Sequence, residues 1–453
     1  MALEDDILRG LTPDDAERDR VIAARASLET AATQALHDLG ISGVAQVQGS
    51  IAKDTWISGD TDLDCFLVLS RDTPDDALER ITTEVAGMVL EGARKKYAQH
   101  PYLIGERDGF QVDLVPAYRI ESPDQRLSAV DRTPLHTAWV QSHLDDAALA
   151  QVRLAKQWCK GVGAYGAETR IGGFSGYLLE VLVHRFGGFH GLLEWAAADC
   201  TPRRIAMRGD MVDDDVSPLI VVDPVDPTRN CAAAVTTDII ALVQEAAKSY
   251  QTAPDAAFFH PAPPRGEPAE ALHAALRASS ATWVGIILAP KTDRLDIVFP
   301  QFQRAARVAA EALERAGFPV HRVRVDAFDD DRMVGMQWLL EDATLPAERV
   351  HEGPDAGKEP NAGRFREKWD GHPDAVGPVV TGANGRLEVT VRITERTPAA
   401  WLQANLATVL VGKHVTDALD DPPRIITDPA AVPTAWSAAV ADHVLDRRPW
   451  QRP

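Results

Sequence analysis

The sequence predicts an α+β protein of several domains. Up to residue 143, short stretches of alternating apolar residues are interleaved with helical patterns, as in a small mixed domain. From 144 to 250 apolar residues recur almost throughout at helical spacing. The proline-dense segment Phe258-Phe259-His260-Pro261-Ala262-Pro263-Pro264 then excludes helix and sheet interior, and further strands and helices follow it. A chain of 453 residues is also too long for one core. The expected division is a mixed domain over 1–143, a mainly helical domain over 144–262 and a C-terminal α/β region over 263–453.

Taken in order, residues 15–39 read as an amphipathic helix with Val21, Ala24, Leu28, Ala31 and Leu36 near one face, and Gly40 and Gly43 end it. A strand follows from Val44 and turns at Gly49–Ser50. Leu63, Cys65, Leu67 and Leu69 alternate in a second strand. Phe110, Val112 and Leu114 alternate in another, expected to stop near Pro116. Helical patterns occupy 75–96 and 134–160. The helical middle is interrupted by glycines around 161–176 and by a polar turn at 223–230. Beyond the prolines, Trp283–Ala289 reads as a strand and Gln301–Ala316 as a long helix ended by Gly317 and Pro319. Val320–Val325 and Leu387–Ile393 read as strands and 398–419 as a helix. Residues 351–377, rich in Gly, Pro and Asp, read as a long loop. No internal repeat is visible.

Composition narrows the class. Hydrophobic residues make up 45% and charged residues 25%, ordinary for a globular protein. No segment approaches the roughly 18 uninterrupted apolar residues of a membrane span, and the acidic MALEDDILRG has no apolar signal core. Cys65, Cys159, Cys200 and Cys231 are scattered without a CxxC pair, so a reducing cytoplasm is the expected compartment and a thiolate zinc site is not expected. Net charge is −20, with Arg far in excess of Lys. The mean charge argues against binding nucleic acid, but binding depends on the local field. An acidic surface also suits a salty cytoplasm, where long-range attraction is screened.

The chemistry lies in Gly49-Ser50-Ile51-Ala52-Lys53 and, after a short spacer, Asp62-Leu63-Asp64. On a strand, residues i and i+2 face one side about 6.5–7 Å apart, so Asp62 and Asp64 can reach one metal site. Asp113 stands between Val112 and Leu114 in an alternating strand. If that strand lies beside the first, three carboxylates converge and suit Mg²⁺, which prefers hard oxygens and keeps phosphates in its shell. Gly49 lets backbone approach a triphosphate, Ser50 adds a hydroxyl, and Lys53 adds a positive charge. Each piece alone has a bland reading, a turn or a solvated strand end. Their combination points to phosphoryl transfer from a nucleoside triphosphate.

The spacing Gly-Ser, eleven residues, Asp-x-Asp resembles that of the DNA-polymerase-β-like nucleotidyltransferases. More narrowly, the chain resembles the archaeal (class I) CCA-adding enzymes in GSIAKDTW, GDTDLDCF, YAQHPY (97–102), QVDLVPAY (111–118), SAVDRTPLH (128–136), GAYGAETRIGGFSGYLLE (163–180), VVDPVDPTRN (221–230) and FPQFQRAAR (299–307). These segments span nearly the whole chain. The resemblance implies a polymerase-β-like head, a helical nucleotide-binding domain and a C-terminal RNA-binding body and tail. It implies Asp62, Asp64 and Asp113 as catalytic metal ligands, with Gly49, Ser50, Lys53, His136, Lys156 and Tyr165 around the triphosphate. Arg229 would help read the base of CTP or ATP. The family commonly has Arg at the position of Lys53, so a bidentate phosphate contact becomes a point charge here. The implied reaction is template-independent addition of C, C and A to the 3′ end of tRNA, with release of pyrophosphate by two-metal in-line transfer using Mg²⁺. The implied partners are the tRNA acceptor stem and 3′ end, ATP and CTP. A homodimer stays open as an assembly that the sequence does not fix.

Other features compete. Gly161-Val162-Gly163-Ala164-Tyr165-Gly166 fits a dinucleotide fingerprint, but a helical pattern precedes it where a strand is required, so it reads as a helix end that presents Tyr165. Gly173-Phe174-Ser175-Gly176 lacks the second glycine of a nucleophile elbow and reads as a tight helix start. By default Lys156 is a solvated helix lysine, Tyr165 a packed ring, His136 a capping-region histidine and Arg229 a partner of Asp223 or Asp226. The runs Asp213–Asp215 and Asp329–Asp331 lack calcium-loop spacing. Arg304 and Arg307, with Arg315, His321, Arg322 and Arg324, form a locally basic stretch suited to an A-form acceptor stem. The rival readings are a poly(A) or oligoadenylate polymerase and a catalytically silent RNA-binding protein. Three retained carboxylates speak against the second, since grouping them without metal is costly.

Overall fold

A computed structural model describes residues 2–97, 101–201, 203–207, 209, 212–214, 216–292, 294–330, 332–341 and 344–453. The chain divides into two compact units, Met1–Ala262 with Pro449–Gln451 and Pro453, and Pro263–Arg448 with Arg452.

The first unit opens with α1 (Ala2–Leu11) and α2 (Asp15–Asp38). Asp14 caps α2 by accepting the Glu17 N–H at 2.8 Å. Val21, Ala24, Leu28, Ala32, Ala35 and Leu36 are buried, placing the apolar stripe where the helical period put it, with Ala31 at its margin. This helix packs on a sheet of β1 (Gly43–Val47), β2 (Leu63–Leu69), β3 (Glu91–Tyr97), β4 (Pro101–Arg107) and β5 (Phe110–Tyr118), in the order β1-β2-β5-β4-β3. Only β2 and β5 run parallel; the other pairs are antiparallel. The short helix α3 (Gly49–Lys53) follows β1, and α4 (Leu78–Val89) follows β2.

Two expectations change here. The helix expected over 75–96 ends at Val89, and Glu91–Tyr97 is an edge strand paired with β4. The run Arg94-Lys95-Lys96 has neither helical nor strand periodicity, so the partner strand decides its conformation. Of the segment YAQHPY, residues 98–100 lie outside the described residues. The strand expected to stop near Pro116 continues to Tyr118. Pairing with β4 ends at Leu114, and the missing N–H of Pro116 is tolerated on that open side.

The rest of the first unit is helical: α5 (Thr133–His143), α6 (Asp146–Val162), α7 (Gly176–Phe186), α8 (Phe189–Ala197) and α9 (Thr237–Thr252), plus the two-residue parallel strands β6 (Arg204–Ile205) and β7 (Ile220–Val221). The pattern over 134–160 is two helices, because Asp145 starts a new one by accepting the Ala148 N–H at 2.9 Å. Gly163, in the left-handed region at φ 81°, closes α6, and Ser175 caps α7 through the Leu178 N–H. Phe258 and Phe259 belong to this core and not to a linker, with Phe258 stacked on Trp450 at 5.2 Å.

In the second unit, α10 (Ala269–Ala278) precedes β8 (Ala281–Leu288), and α11 (Leu295–Ala316) precedes β9 (Val320–Phe328) and β10 (Met333–Glu341). With β14 (Arg424–Ile426) these strands form an antiparallel sheet in the order β14-β8-β10-β9. Gly317, at φ 108°, ends α11 as its sequence predicts. A three-stranded sheet is made by β11 (Glu348–Asp355), β12 (Val380–Thr381) and β13 (Arg386–Arg392). The loop expected over 351–377 therefore contains most of a strand and the helix α12 (Asn361–Trp369). Phe365 stacks on His351 at 5.6 Å, and a Cβ on Gly353 would lie 2.6 Å from the Phe365 ring, so tertiary packing overrides a loop-like composition. The helix expected over 398–419 is two, α13 (Pro398–Val409) and α14 (Lys413–Ala418), divided at Gly412 with φ 129°. The unit ends with α15 (Thr434–Val444). Among the described residues no helix is long and apolar enough to cross a membrane.

Candidate active site

The parallel pairing of β2 and β5 builds the acidic centre. Its register sets Asp64 directly against Asp113, on one face of the sheet, because paired residues of adjacent strands project the same way. Asp62, exposed, comes two residues before Asp64, just ahead of β2. Gly49 closes over this end of the sheet from β1. Its φ is +68°, and a Cβ there would lie 2.1 Å from Asp64 Oδ2, so both conformation and space require glycine. The Gln48 N–H donates to the Asp64 carbonyl at 2.8 Å, fixing the turn that presents half-buried Ser50.

The electrostatics of this centre call for a cation. Burial, then the neighbouring Asp113 and Asp62, push the Asp64 carboxyl up to about 6, against the opposing pull of Lys53. Three hard oxygen donors suit a divalent metal bound with substrate phosphates and water.

Beside the carboxylates lies a buried ionic cluster. Glu180 on α7, 1% exposed, accepts from Lys53 Nζ at 2.8 Å, from Thr55 Oγ1 at 2.7 Å and from Lys156 Nζ at 3.2 Å. Lys156 also donates to Thr55 Oγ1 at 2.8 Å and to its carbonyl at 3.1 Å. Burial alone would raise the Glu180 carboxyl, but Lys53 and Lys156 hold it below its ordinary value. Burial lowers the Lys156 ammonium, with Glu180 opposing. Lys156 is therefore not the solvated helix lysine of its default reading. Arg153, one turn earlier on α6, donates to the carbonyls of Asp54 (2.6 Å) and Trp56 (2.9 Å) and so pins the loop leading to Asp62. The Tyr165 ring lies 5.3 Å from Lys160 Nζ, and a Cβ on Gly176 would come 3.1 Å from the Tyr165 hydroxyl and 3.3 Å from Lys156 Cε.

A second cluster adjoins the first through Tyr177, whose ring lies 5.0 Å from Lys53 Nζ and stacks on His136 at 4.0 Å. Tyr177 Oη donates to Asp223 Oδ1 at 3.0 Å. His136 Nε2 and Arg229 Nη1 meet Asp223 Oδ2 at 3.0 and 2.9 Å. The default pairing of Arg229 with Asp223 is thus present, while Asp226 takes Arg132 at 3.0 Å. Burial would raise Asp223, but His136, the Val225 N–H and Arg229 carry it well below the usual carboxylate range. Burial lowers His136, with Asp223 opposing. Asp131 of the segment SAVDRTPLH organises the approach to α5, accepting N–H groups from Tyr118, Leu127 and Ser128 at 2.7–2.9 Å.

The expected nucleotide-site residues Gly49, Lys53, His136, Lys156 and Arg229 therefore fall into linked contacts. Glu180, Tyr177 and Thr55, which join them, were not singled out by sequence, and Asp223 was named only as a default partner of Arg229. Arg304 and Arg307 are exposed on α11 in the second unit. Asp214 accepts the Val216 and Ser217 N–H groups at 3.2 and 2.9 Å, as a loop residue does, while Asp215 and Asp331 lie outside the described residues.

Comparison with known proteins covers the same regions. Residues 34–136 match the family described as nucleotidyltransferase domain, 150–260 match tRNA nucleotidyltransferase, second domain, and 288–428 match CCA-adding enzyme, C-terminal domain. The chain is 37% identical to the CCA-adding enzyme of Halobacterium salinarum over 89% of its own length and 88% of the relative's. It is 34% identical to that of Haloarcula marismortui over 97% of both chains, and 36% identical to that of Methanoregula boonei over 92% and 90%.

Proposed function

The chain belongs to the archaeal CCA-adding enzymes, and from that premise we propose that Asp62, Asp64 and Asp113 are its catalytic metal ligands and that Mg²⁺ is the metal. It is a tRNA nucleotidyltransferase that adds C, C and A to the 3′ end of tRNA from CTP and ATP. Family members typically need a divalent metal. The observation that carries the assignment is the register of β2 on β5, which sets Asp64 against Asp113 with Asp62 two residues away.

Bound there, the metal would supply charge neutralisation at the reacting phosphate and make the RNA 3′-hydroxyl easier to deprotonate. The chain's own residues position the substrate. Gly49 and Ser50 let the triphosphate approach the backbone. Lys53 and Lys156 share one carboxylate, Glu180, and so leave one positive charge beside the triphosphate site. Arg229 is 32% exposed as a side chain and gives one Nη to Asp223, keeping other N–H donors for the base. A guanidinium only donates. It therefore suits cytosine N3 and adenine N1, which accept, and repels uracil N3–H and guanine N1–H, which donate. Exposed Arg304 and Arg307 suit contact with acceptor-stem phosphates. A cytoplasmic setting fits the substrates.

Incubation with tRNA ending at the discriminator base and a divalent metal tests this reading. CTP alone should add two C residues, and CTP with ATP should add those and one terminal A. Long A tails, or incorporation without dependence on tRNA, would contradict it.

A further inference from the structure

Asp223 is more heavily engaged than a loop carboxylate requires. It is fully buried, and its two oxygens receive four donors: Tyr177 Oη and the Val225 N–H at Oδ1, His136 Nε2 and Arg229 Nη1 at Oδ2. The donors come from α5, α7 and the 223–229 turn. Backbone bonds close that turn as well, with the Asp223 N–H donating to the Arg229 carbonyl at 3.0 Å and the Arg229 N–H to the Asp226 carbonyl at 2.9 Å. The guanidinium is thus held at both its root and its tip, while His136 and Tyr177, stacked on each other, set the side from which Asp223 reaches it.

A buried carboxylate with a saturated set of donors has one low-energy orientation, and a guanidinium bonded to it inherits that orientation. We propose that Asp223 is a positioning residue for nucleotide selection: it aims Arg229, so that the remaining N–H donors meet cytosine or adenine in one geometry. The proposal rests on the reading of Arg229 as the residue that meets the base. Asp223 does not touch the reacting atoms, so its removal leaves transfer chemistry in place and blurs the choice of base.

Asp223→Asn keeps the shape but turns one acceptor into a donor facing donors. The full-length variant is assayed on tRNA lacking CCA, with CTP and UTP compared under single-nucleotide conditions. The ratio of kcat/KM for CTP over UTP should fall about tenfold or more. The loss should lie mainly in the KM for CTP, with saturating kcat within a few-fold of wild type. Introduced into Arg229→Ala, the same change should lower the ratio no further, because its effect passes through Arg229. Tyr177→Phe removes one donor without unbalancing a buried charge. It should lower the ratio a few-fold at an unchanged melting temperature, and it serves if Asp223→Asn does not fold. If Arg229→Ala collapses the ratio but Asp223→Asn and Tyr177→Phe leave it within about twofold of wild type, the positioning role is overturned and the Arg229 reading stands. If Arg229→Ala leaves the ratio intact, the Arg229 reading fails and the proposal goes with it.

Discussion

In the first unit, charge lies inside. Lys53, Arg153, Lys156, Glu180, Asp223 and Asp226 are buried, and every one of them meets an oppositely charged partner. In the second unit the deep interior is mainly aromatic and aliphatic, with Trp283, Trp338, Trp436, Phe299, Phe302 and Phe318 fully covered, a single buried carboxylate among the described residues, Asp442, paired with Arg452, and Arg304, Arg307 and Arg315 outside. Burying ion pairs is a poor route to stability, since desolvation offsets much of the attraction. Where a fold does it repeatedly, the charges hold something in place. Cations proposed to meet a polyanion can stay at the surface, where long-range attraction costs no desolvation.

Four changes sharpen or break this contrast, in order of expected size. Asp64→Asn should slow nucleotide addition on the order of a thousandfold, about 4 kcal/mol of barrier. Its metal-free melting temperature should not fall, because the substitution relieves repulsion with Asp62 and Asp113. Rapid-quench incorporation and a melt in EDTA read the two effects. Glu180→Gln should cost roughly 3 kcal/mol of stability by leaving Lys53 and Lys156 buried without a counter-charge. Denaturant unfolding measures this, and a loss under 1 kcal/mol would mean the cluster is better hydrated than its burial indicates.

The third change tests the second unit, where His443 on α15 is buried along with the polar Gln337 and Asp442. Burial, then Arg322 and Arg324, push its imidazole down to about 3 from 6.5. The unfolded chain takes up a proton below pH 6.5 while the fold refuses it until about pH 3, so stability is full above 6.5 and falls as pH drops between these values. From pH 6.5 to 5 the loss should be about 2 kcal/mol. His443→Leu should remove that slope from the pH dependence of the unfolding free energy, and an unchanged slope would assign the acid sensitivity elsewhere. The smallest effect is expected from Arg304→Ala with Arg307→Ala. Affinity for tRNA should weaken a few-fold at low salt, and the slope of log K against log salt should shrink by roughly one unit per lost phosphate contact.

What the sequence reveals follows from how local each feature is. Asp62, Asp64, Gly49 and the strand holding Asp113 were legible because a two-residue period and a glycine turn are written in a few neighbouring letters. The stripe on α2 and the end of α11 at Gly317 were legible for the same reason. Glu180 was not, since its meaning depends on Lys53, 127 residues away. Asp223 was legible as a partner of Arg229 six residues away, but not as the partner of His136, 87 residues upstream, or of Tyr177. Strand β3 and helix α12 were misread because pairing with β4 and packing of Phe365 on His351 outweigh their local composition.

The most direct test of the assignment of Asp62, Asp64 and Asp113 is metal binding itself. Mn²⁺ can be titrated into the full-length protein with CTP present and tRNA absent, and free ion followed by electron paramagnetic resonance. Asp113→Asn should weaken Mn²⁺ binding by about tenfold or more, while Asp214→Asn, in a separate acidic loop, should leave it unchanged. Equal affinity in wild type and Asp113→Asn, or a loss confined to Asp214→Asn, would contradict the assignment of the metal to the paired strands β2 and β5.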